Sequence, residues 1–259
     1  MHLIITKVLM GLLVGTLVGL TGLGGGVLLL PLLIFGLGVP PIIAVGSDAV
    51  FNFFTKLGSG YLHWKQGSVN WHLVASLVAG SVPGSFLGVS LLAHLRATYG
   101  NGVNDFLKVV TGLLLIIIPS LLVFQGHLRQ TEDDGTEIRN PERRYRWEVV
   151  AIGFVSGILV GMTSIGSGSI TMMLLMLMYP YAPVMMVGTD IVHAVALTGF
   201  TSTLHLHLGT VDSSLVAALL IGSVPGGLLG TWLSSYVPGH WLKRILCGVL
   251  FLTGARMLA

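Results

Sequence analysis

The chain has 259 residues, of which 53% belong to the apolar set and 9% are charged, with a formal net charge of +3. Soluble domains carry about 25% charged residues, so this composition cannot surface a water-soluble fold, and a mean hydropathy of +0.89 points to a polytopic helical membrane protein. Soluble enzymes, nucleic-acid binders and secreted scaffolds are thereby set aside; the basic residues are expected to fix topology rather than to bind nucleic acid, and the lone Cys247 supports neither a disulfide framework nor a cysteine metal site.

In chain order the apolar segments run over about 3–20, 27–37, 41–62, 71–95 and 106–124, and then over 149–162, 170–178, 183–204, 214–236 and 241–258. A single crossing needs about 20 residues, so the second segment of each group of five is short. The first two segments of each group are expected to form either two crossings or a re-entrant hairpin around a glycine-rich turn. The opening segment reads as a mature helix, since its flank holds only Lys7 and no A-x-A site follows. A polar stretch with Glu132, Asp133, Asp134, Glu137, Glu142 and five arginines reads as a flexible linker. The organisation is one membrane domain: a first repeat over 1–124, a polar cytoplasmic linker over 125–147 and a second repeat over 148–259.

The two groups are copies of one unit. A shift of 142 residues, which puts Gly11 on Gly153, aligns the next stretch without a gap at roughly three identities in eight. It pairs Thr21, Gly24 and Gly26 with Thr163, Gly166 and Gly168, Asp48 of "VGSD" with Asp190 of "VGTD", His63 with His205, and the two "GSVPG" segments at Gly80 and Gly222. With an odd number of crossings per copy, the second copy stands upside down relative to the first, the inverted-repeat plan of many secondary transporters. If only one member of each short pair crosses, the copies are parallel. The fold class expected is thus an all-α membrane protein of two inverted repeats, each of about five helical segments. On this plan Lys65, Arg129, Arg139, Arg143, Arg144, Arg146, Lys243 and Arg244 share one side, which is cytoplasmic by the positive-inside rule, and both termini face outward.

Two sets of residues are candidates for function. The first is the glycine break, "TGLGGG" at Thr21, Gly24, Gly25 and Gly26, with its copy "TSIGSG" at Thr163, Ser164, Gly166, Ser167 and Gly168. Glycines permit turns whose backbone N–H groups are left for an anion, with hydroxyls of Thr21, Thr163, Ser164, Ser167 and Ser169 as neutral donors; the alternative is that these turns only allow close packing. The second set is polar residues inside spans, where an Asp costs about 2.5 to 3.5 kcal/mol on insertion scales. Asp48, Asn52 and Lys56 recur every four residues on one helix face, and the second copy offers Asp190 and the nearby His193. Lys56 either attracts an anion or snorkels to an interface. Asp48 and Asp190 either relay protons or cap and stabilise the turns.

His63, His205 and His207 stand at helix ends and read as interface anchors or loop hydrogen-bonders rather than metal ligands. Met172, Met173, Met176 and Met178 read as flexible core packing. The GxxxG spacings from Gly11 and Gly80 permit tight helix crossing, and Pro83 and Pro225 are expected to bend their helices. No phosphate loop, nucleophile elbow or HExxH motif is present; neither an enzyme nor a bound cofactor or metal is expected.

With "GLTGLGGGVLLLPLL" from Gly19, "AVGSD" from Ala44, "HWKQGSVNW" from His63, "VGTDIVHA", "HLHLGTVD" and "GSVPGGLLG", the sequence resembles the TauE/SafE sulfite exporter family, also called the toluene-sulfonate uptake permeases, in its Asp-bearing subgroup. The resemblance covers nearly the whole chain outside the central polar stretch. It implies a bacterial inner-membrane permease for sulfite, sulfonates or related organosulfur anions, driven by an ion-coupled cycle with a proton or sodium. The partners implied are a small anionic substrate and the lipid bilayer, with no nucleic acid. The second turn departs from the family pattern, lacking the triple glycine and a proline matching Pro31. The leading expectation is alternating access with one anion held between the turns near Lys56; an anion channel, or a permease for another small organic anion, is the alternative.

Overall fold

The computed structural model describes residues 2–21, 25–128, 146–168, 171–172, 174–175, 183–234 and 239–258. Among the described residues every regular element is helical. Helix α1 spans His2–Thr21, and α2 spans Gly26–Pro31 and runs on as a π-helical turn over Leu32–Gly36. Then come α3 (Pro41–Lys65), α4 (Trp71–Tyr99), α5 (Gly102–Leu128), α6 (Arg146–Thr163), α7 (Pro183–His207), α8 (Ser213–Ser234) and α9 (Gly239–Leu258). Gly24, Ser169, Met173, Met176 and Met178, together with residues 129–145 of the polar stretch, lie outside the described residues, as does the side chain of Thr21.

Helix starts follow from local chemistry. Pro41 and Pro183 open α3 and α7, where a missing N–H is harmless. The Asn70 side chain accepts from the N–H groups of His72 and Leu73 at 3.1 and 3.2 Å to cap α4. Asp212, its counterpart in the second copy, accepts from Leu215 N–H at 2.9 Å to cap α8. Among the described residues, four helical stretches, 71–99, 102–120, 184–207 and 213–230, are long and apolar enough to cross a membrane. Polarity is turned inside out: Leu228 and Leu252 are 72% and 73% exposed, whereas Asp48, Asn52 and His193 are fully buried. In hydrocarbon that distribution is the stable one, because polar groups find partners only within the protein.

Packing is carried by backbone-to-backbone contact. A Cβ placed on Gly15 of α1 would stand 2.7 Å from the Cα of Ser223 in α8, and one on Gly157 of α6 would stand 2.8 Å from the Cα of Ser81 in α4. Among the described residues these α1–α8 and α4–α6 seams are the most extensive, and only a residue without a side chain allows such approach.

The seams obey the sequence repeat. Gly11 against Leu219 and Gly15 against Ser223 become, under the 142-residue shift, Gly153 against Leu77 and Gly157 against Ser81. Partners therefore exchange between the copies. Along α3, Gly46, Phe53 and Gly60 meet Thr210, Gly199 and Val195 in turn, so α3 and its counterpart α7 run antiparallel. Helices α5 and α9 do the same, with Gly112 against Met257 and Gly254 against Leu115. Within each of the two main seams the paired helices run parallel.

Candidate functional site

The polar interior is assembled on α3 and α7. Each carries a G-[ST]-D triplet whose three residues have separate tasks. Gly46 lets the main chain of Thr210 approach, with a Cβ there reaching within 2.8 Å of the Thr210 carbonyl carbon, and Gly188 does the same for Ser68. The Ser47 hydroxyl accepts from Asp212 N–H at 3.0 Å, and the Thr189 hydroxyl accepts from Asn70 N–H at 2.9 Å. Each hydroxyl thus anchors the loop ahead of a capped helix in the other copy. Asp48 and Asp190 then project toward the glycine turns of their own copies. A Cβ on Gly26 would lie 2.9 Å from Asp48 Oδ2, and one on Gly168 would lie 3.4 Å from Asp190 Oδ2.

The two turns meet each other. The same point beside Gly26 is 2.9 Å from the carbonyl oxygen of Ser164, in the second turn, and 3.1 Å from Asn52 Nδ2. Gly25 packs on the other side of that amide, its Cβ position 3.0 Å from Asn52 Oδ1. The second turn is held by Ser164, Gly166 and Gly168 at positive φ of 58°, 108° and 142°. For Ser164 this is an uncommon left-handed conformation.

The sequence predicts turn N–H groups available to an anion. Three of them are engaged: Ser164 N–H continues the α6 ladder to Val160 O at 2.7 Å, while within the turn Ile165 N–H donates to the Thr163 hydroxyl at 3.3 Å and Gly168 N–H to Gly166 O at 2.8 Å. Thr163 in turn donates to Leu159 O at 2.7 Å, so it serves the turn itself.

Lys56 bridges the copies. Its ammonium donates to the carbonyl oxygen of Ser167 and, at 2.9 Å, to the Ser167 hydroxyl, and the Gly168 Cβ position is 3.6 Å from Nζ. It is 8% exposed and is the only buried Lys or Arg among the described residues. The one ion pair among those residues is Lys108–Asp105 on the surface, so neither buried carboxylate is in direct contact with the ammonium. Asn52 donates to Asp48 Oδ2 at 2.9 Å. Asp48 Oδ1, Asn52 Oδ1, Ser164 Oγ, Asp190 Oδ1 and His193 Nδ1 are buried with no protein partner. Buried polar groups are ordinarily satisfied, and their concentration here marks a place for solute, water or ions.

His193 stands on the α4 side of this group, its Nε2 3.0 Å from the Ser81 hydroxyl. Ser81 escaped sequence reasoning, as did Ser85, whose hydroxyl is 2.7 Å from that of Thr201; both sit in the "GSVPGS" stretch, where the glycines drew attention to packing alone. His205 is buried and joined to Thr210 Oγ1 at 2.9 Å and Gly161 O at 3.0 Å, a loop hydrogen-bonder rather than an interface anchor. His63 makes the equivalent contact to Ser68 Oγ at 2.8 Å, while His207 is exposed. No group of three or more His, Cys, Asp or Glu gathers as a metal centre among the described residues.

An inside-out helical bundle with apolar helices and a buried polar group at Gly26 and Ser164 is consistent with a membrane protein, and the relatives of this chain are described as membrane transporters. It is 37% identical to "Probable membrane transporter protein YjnA" of Bacillus subtilis over 98% of this chain and 99% of that one. It is 29% identical to "Probable membrane transporter protein YunE" of the same organism over 97% and 96%. An archaeal relative, "Probable membrane transporter protein MJ0441" of Methanocaldococcus jannaschii, is 22% identical over 97% and 94%. The family model described as sulfite exporter TauE/SafE matches residues 8–257, and the chain belongs to that family. No solved structure matches it.

Proposed function

We propose that this protein is a secondary transporter that exports small organosulfur anions such as sulfite or sulfonates across the bacterial inner membrane by alternating access. The observation that carries the reading is Lys56. A lysine ammonium held inside a transporter, on a helix of one copy and seated on the turn of the other, is a counter-charge for an anion at the place where the copies must part. Its present acceptors, a carbonyl and a hydroxyl of Ser167, are neutral groups that a sulfonate or sulfite oxygen replaces with a charge-assisted bond. The family's description as sulfite exporters supports the choice of sulfur oxyanion.

Antiparallel α3 and α7 related by the 142-residue shift support an inverted repeat, with its approximate two-fold axis in the membrane plane. The domain plan follows: membrane repeats over 1–124 and 148–259, joined by a cytoplasmic linker, with both termini outside. Rocking of one copy against the other exposes the Lys56–Ser167 contact to each side in turn.

The test is a thermal-shift and binding panel on purified protein with sulfite, thiosulfate, sulfate, taurine, sulfoacetate and carboxylate controls, followed by flux in proteoliposomes. Saturable binding of a sulfur oxyanion and gradient-driven flux that an ionophore collapses support the carrier. Stronger binding of the carboxylates moves the substrate class, and conductance at channel rates removes alternating access.

A further inference from the structure

Two buried carboxylates share this interior with one buried ammonium, so with both carboxylates ionised the site is one positive charge short before any anion enters. The deficit is localised by comparing the copies. Beside Gly168, Asp190 shares its surroundings with the Lys56 ammonium, the two lying 3.4 and 3.6 Å from the same Cβ position. Beside Gly26, Asp48 stands in the equivalent place, but the residue corresponding to Lys56 is Thr198, whose hydroxyl is turned back onto Ala194 O at 2.7 Å. The Asp48 half has the carboxylate and lacks the tethered cation.

Oxygens gather there in its stead. Asp48, Asn52 and Ser164 are 0%, 0% and 1% exposed; the Ser164 hydroxyl lies near the Asp48 carboxylate without a well-formed hydrogen bond to it, and Asn52 Oδ1 has no hydrogen-bond partner. Asn52 uses its Nδ2 on Asp48 Oδ2, which leaves its carbonyl oxygen beside the neighbouring Gly25, and the Ser164 main-chain oxygen approaches Asp48 at Gly26. One carboxylate with neutral amide, hydroxyl and carbonyl oxygens is the donor set of a hard monovalent cation, and backbone carbonyls at interrupted helices hold such ions in membrane carriers. We infer that Asp48, Asn52 and Ser164 form a sodium site, and that sodium bound there plays for the first copy the part that the Lys56 ammonium plays for the second. The inference rests on the carrier reading above and names its coupling ion. Because Ser164 belongs to the second copy and Asp48 to the first, the ion ties the two turns together, and its arrival supplies the positive charge that admits the anion.

The experiment is thermal unfolding of the purified wild-type protein titrated with sodium chloride against choline chloride at constant ionic strength, then of Asp48→Asn, Asn52→Ala and Asp190→Asn. Sodium about 100-fold above its Kd raises the wild-type Tm by about 5 to 10 °C. Asp48→Asn loses that shift, Asn52→Ala weakens it, and Asp190→Asn keeps it. Equal Tm values in sodium and choline for the wild type overturn the inference even where a variant fails to fold, and so does loss of the shift in Asp190→Asn with retention in Asp48→Asn. Sulfite binding measured in both salts separates the two ideas. Sulfite binding of equal strength in each, with no sodium shift, removes the cation site and leaves the anion carrier; a sodium shift with no sulfur oxyanion bound removes the proposed substrate and leaves the cation site.

Discussion

The ammonium of Lys56 and the carbonyl and hydroxyl of Ser167, 111 residues apart in sequence, are joined in the interior. The contact crosses from one copy of the repeat to the other, so whatever competes for Lys56 also acts on how the copies are held together. Binding and conformational change share a group.

Lys56→Ala is expected to reduce sulfur-oxyanion affinity by about 30-fold or more, as follows from losing a charge-assisted hydrogen bond of about 2 kcal/mol. Lys56→Arg should retain part of the affinity, because charge persists while the fit to Ser167 changes. Equilibrium binding by calorimetry checks both, with monodispersity on size exclusion as the folding control. Unchanged affinity in Lys56→Ala ends the role of this residue as the anion's counter-charge.

Gly157→Leu should prevent stable assembly. A Cβ there already meets the Cα of Ser81 at 2.8 Å, and overpacking against backbone costs about 3 kcal/mol or more because a main chain cannot rotate away. Gly58, which has nothing within 4 Å of its Cβ position, is the paired control: Gly58→Ala on an exposed helix face should be neutral or stabilising by up to about 1 kcal/mol. Tm values in detergent separate the two sites, and equal Tm values would show that the α4–α6 seam tolerates separation.

His205→Ala removes partners from Gly161 O and Thr210 Oγ1 and leaves a buried carbonyl unsatisfied, for a loss of about 1 to 3 kcal/mol. His63→Ala, at a half-buried site with one side-chain partner, should lose less. Chemical or thermal unfolding of the two variants gives the order, and a larger effect at His63 would contradict it.

A labelling tag inserted in the polar stretch should react only from the cytoplasm in intact cells. The reason is that Arg129, Arg139, Arg143, Arg144 and Arg146 resist translocation. Labelling from outside reverses the proposed topology together with the placement of both termini.

The helical class, the duplication and the presence of polar residues among apolar runs were legible from sequence because lipid leaves few ways to be stable. Apolar runs must be helices, a copied run must pack as its parent does, and an Asp among leucines stands out. The family membership was legible for the same reason, since the ordered motif set covers nearly the whole chain. Distances were not legible. That Asp48 and Asn52 bond one turn apart follows from helix geometry. That Lys56 crosses to Ser167, that Ser164 touches Gly26, and that Ser47 and Thr189 secure loops of the opposite copy depend on how the two copies dock. The second turn illustrates the limit: its glycines suggest available N–H groups, yet those of Ile165 and Gly168 are bonded within the turn itself and that of Ser164 to α6. Periodicity and composition act within one segment and are written in the chain, whereas partners for buried polar atoms are chosen by helix contacts between residues more than a hundred positions apart, and only the packed bundle decides them.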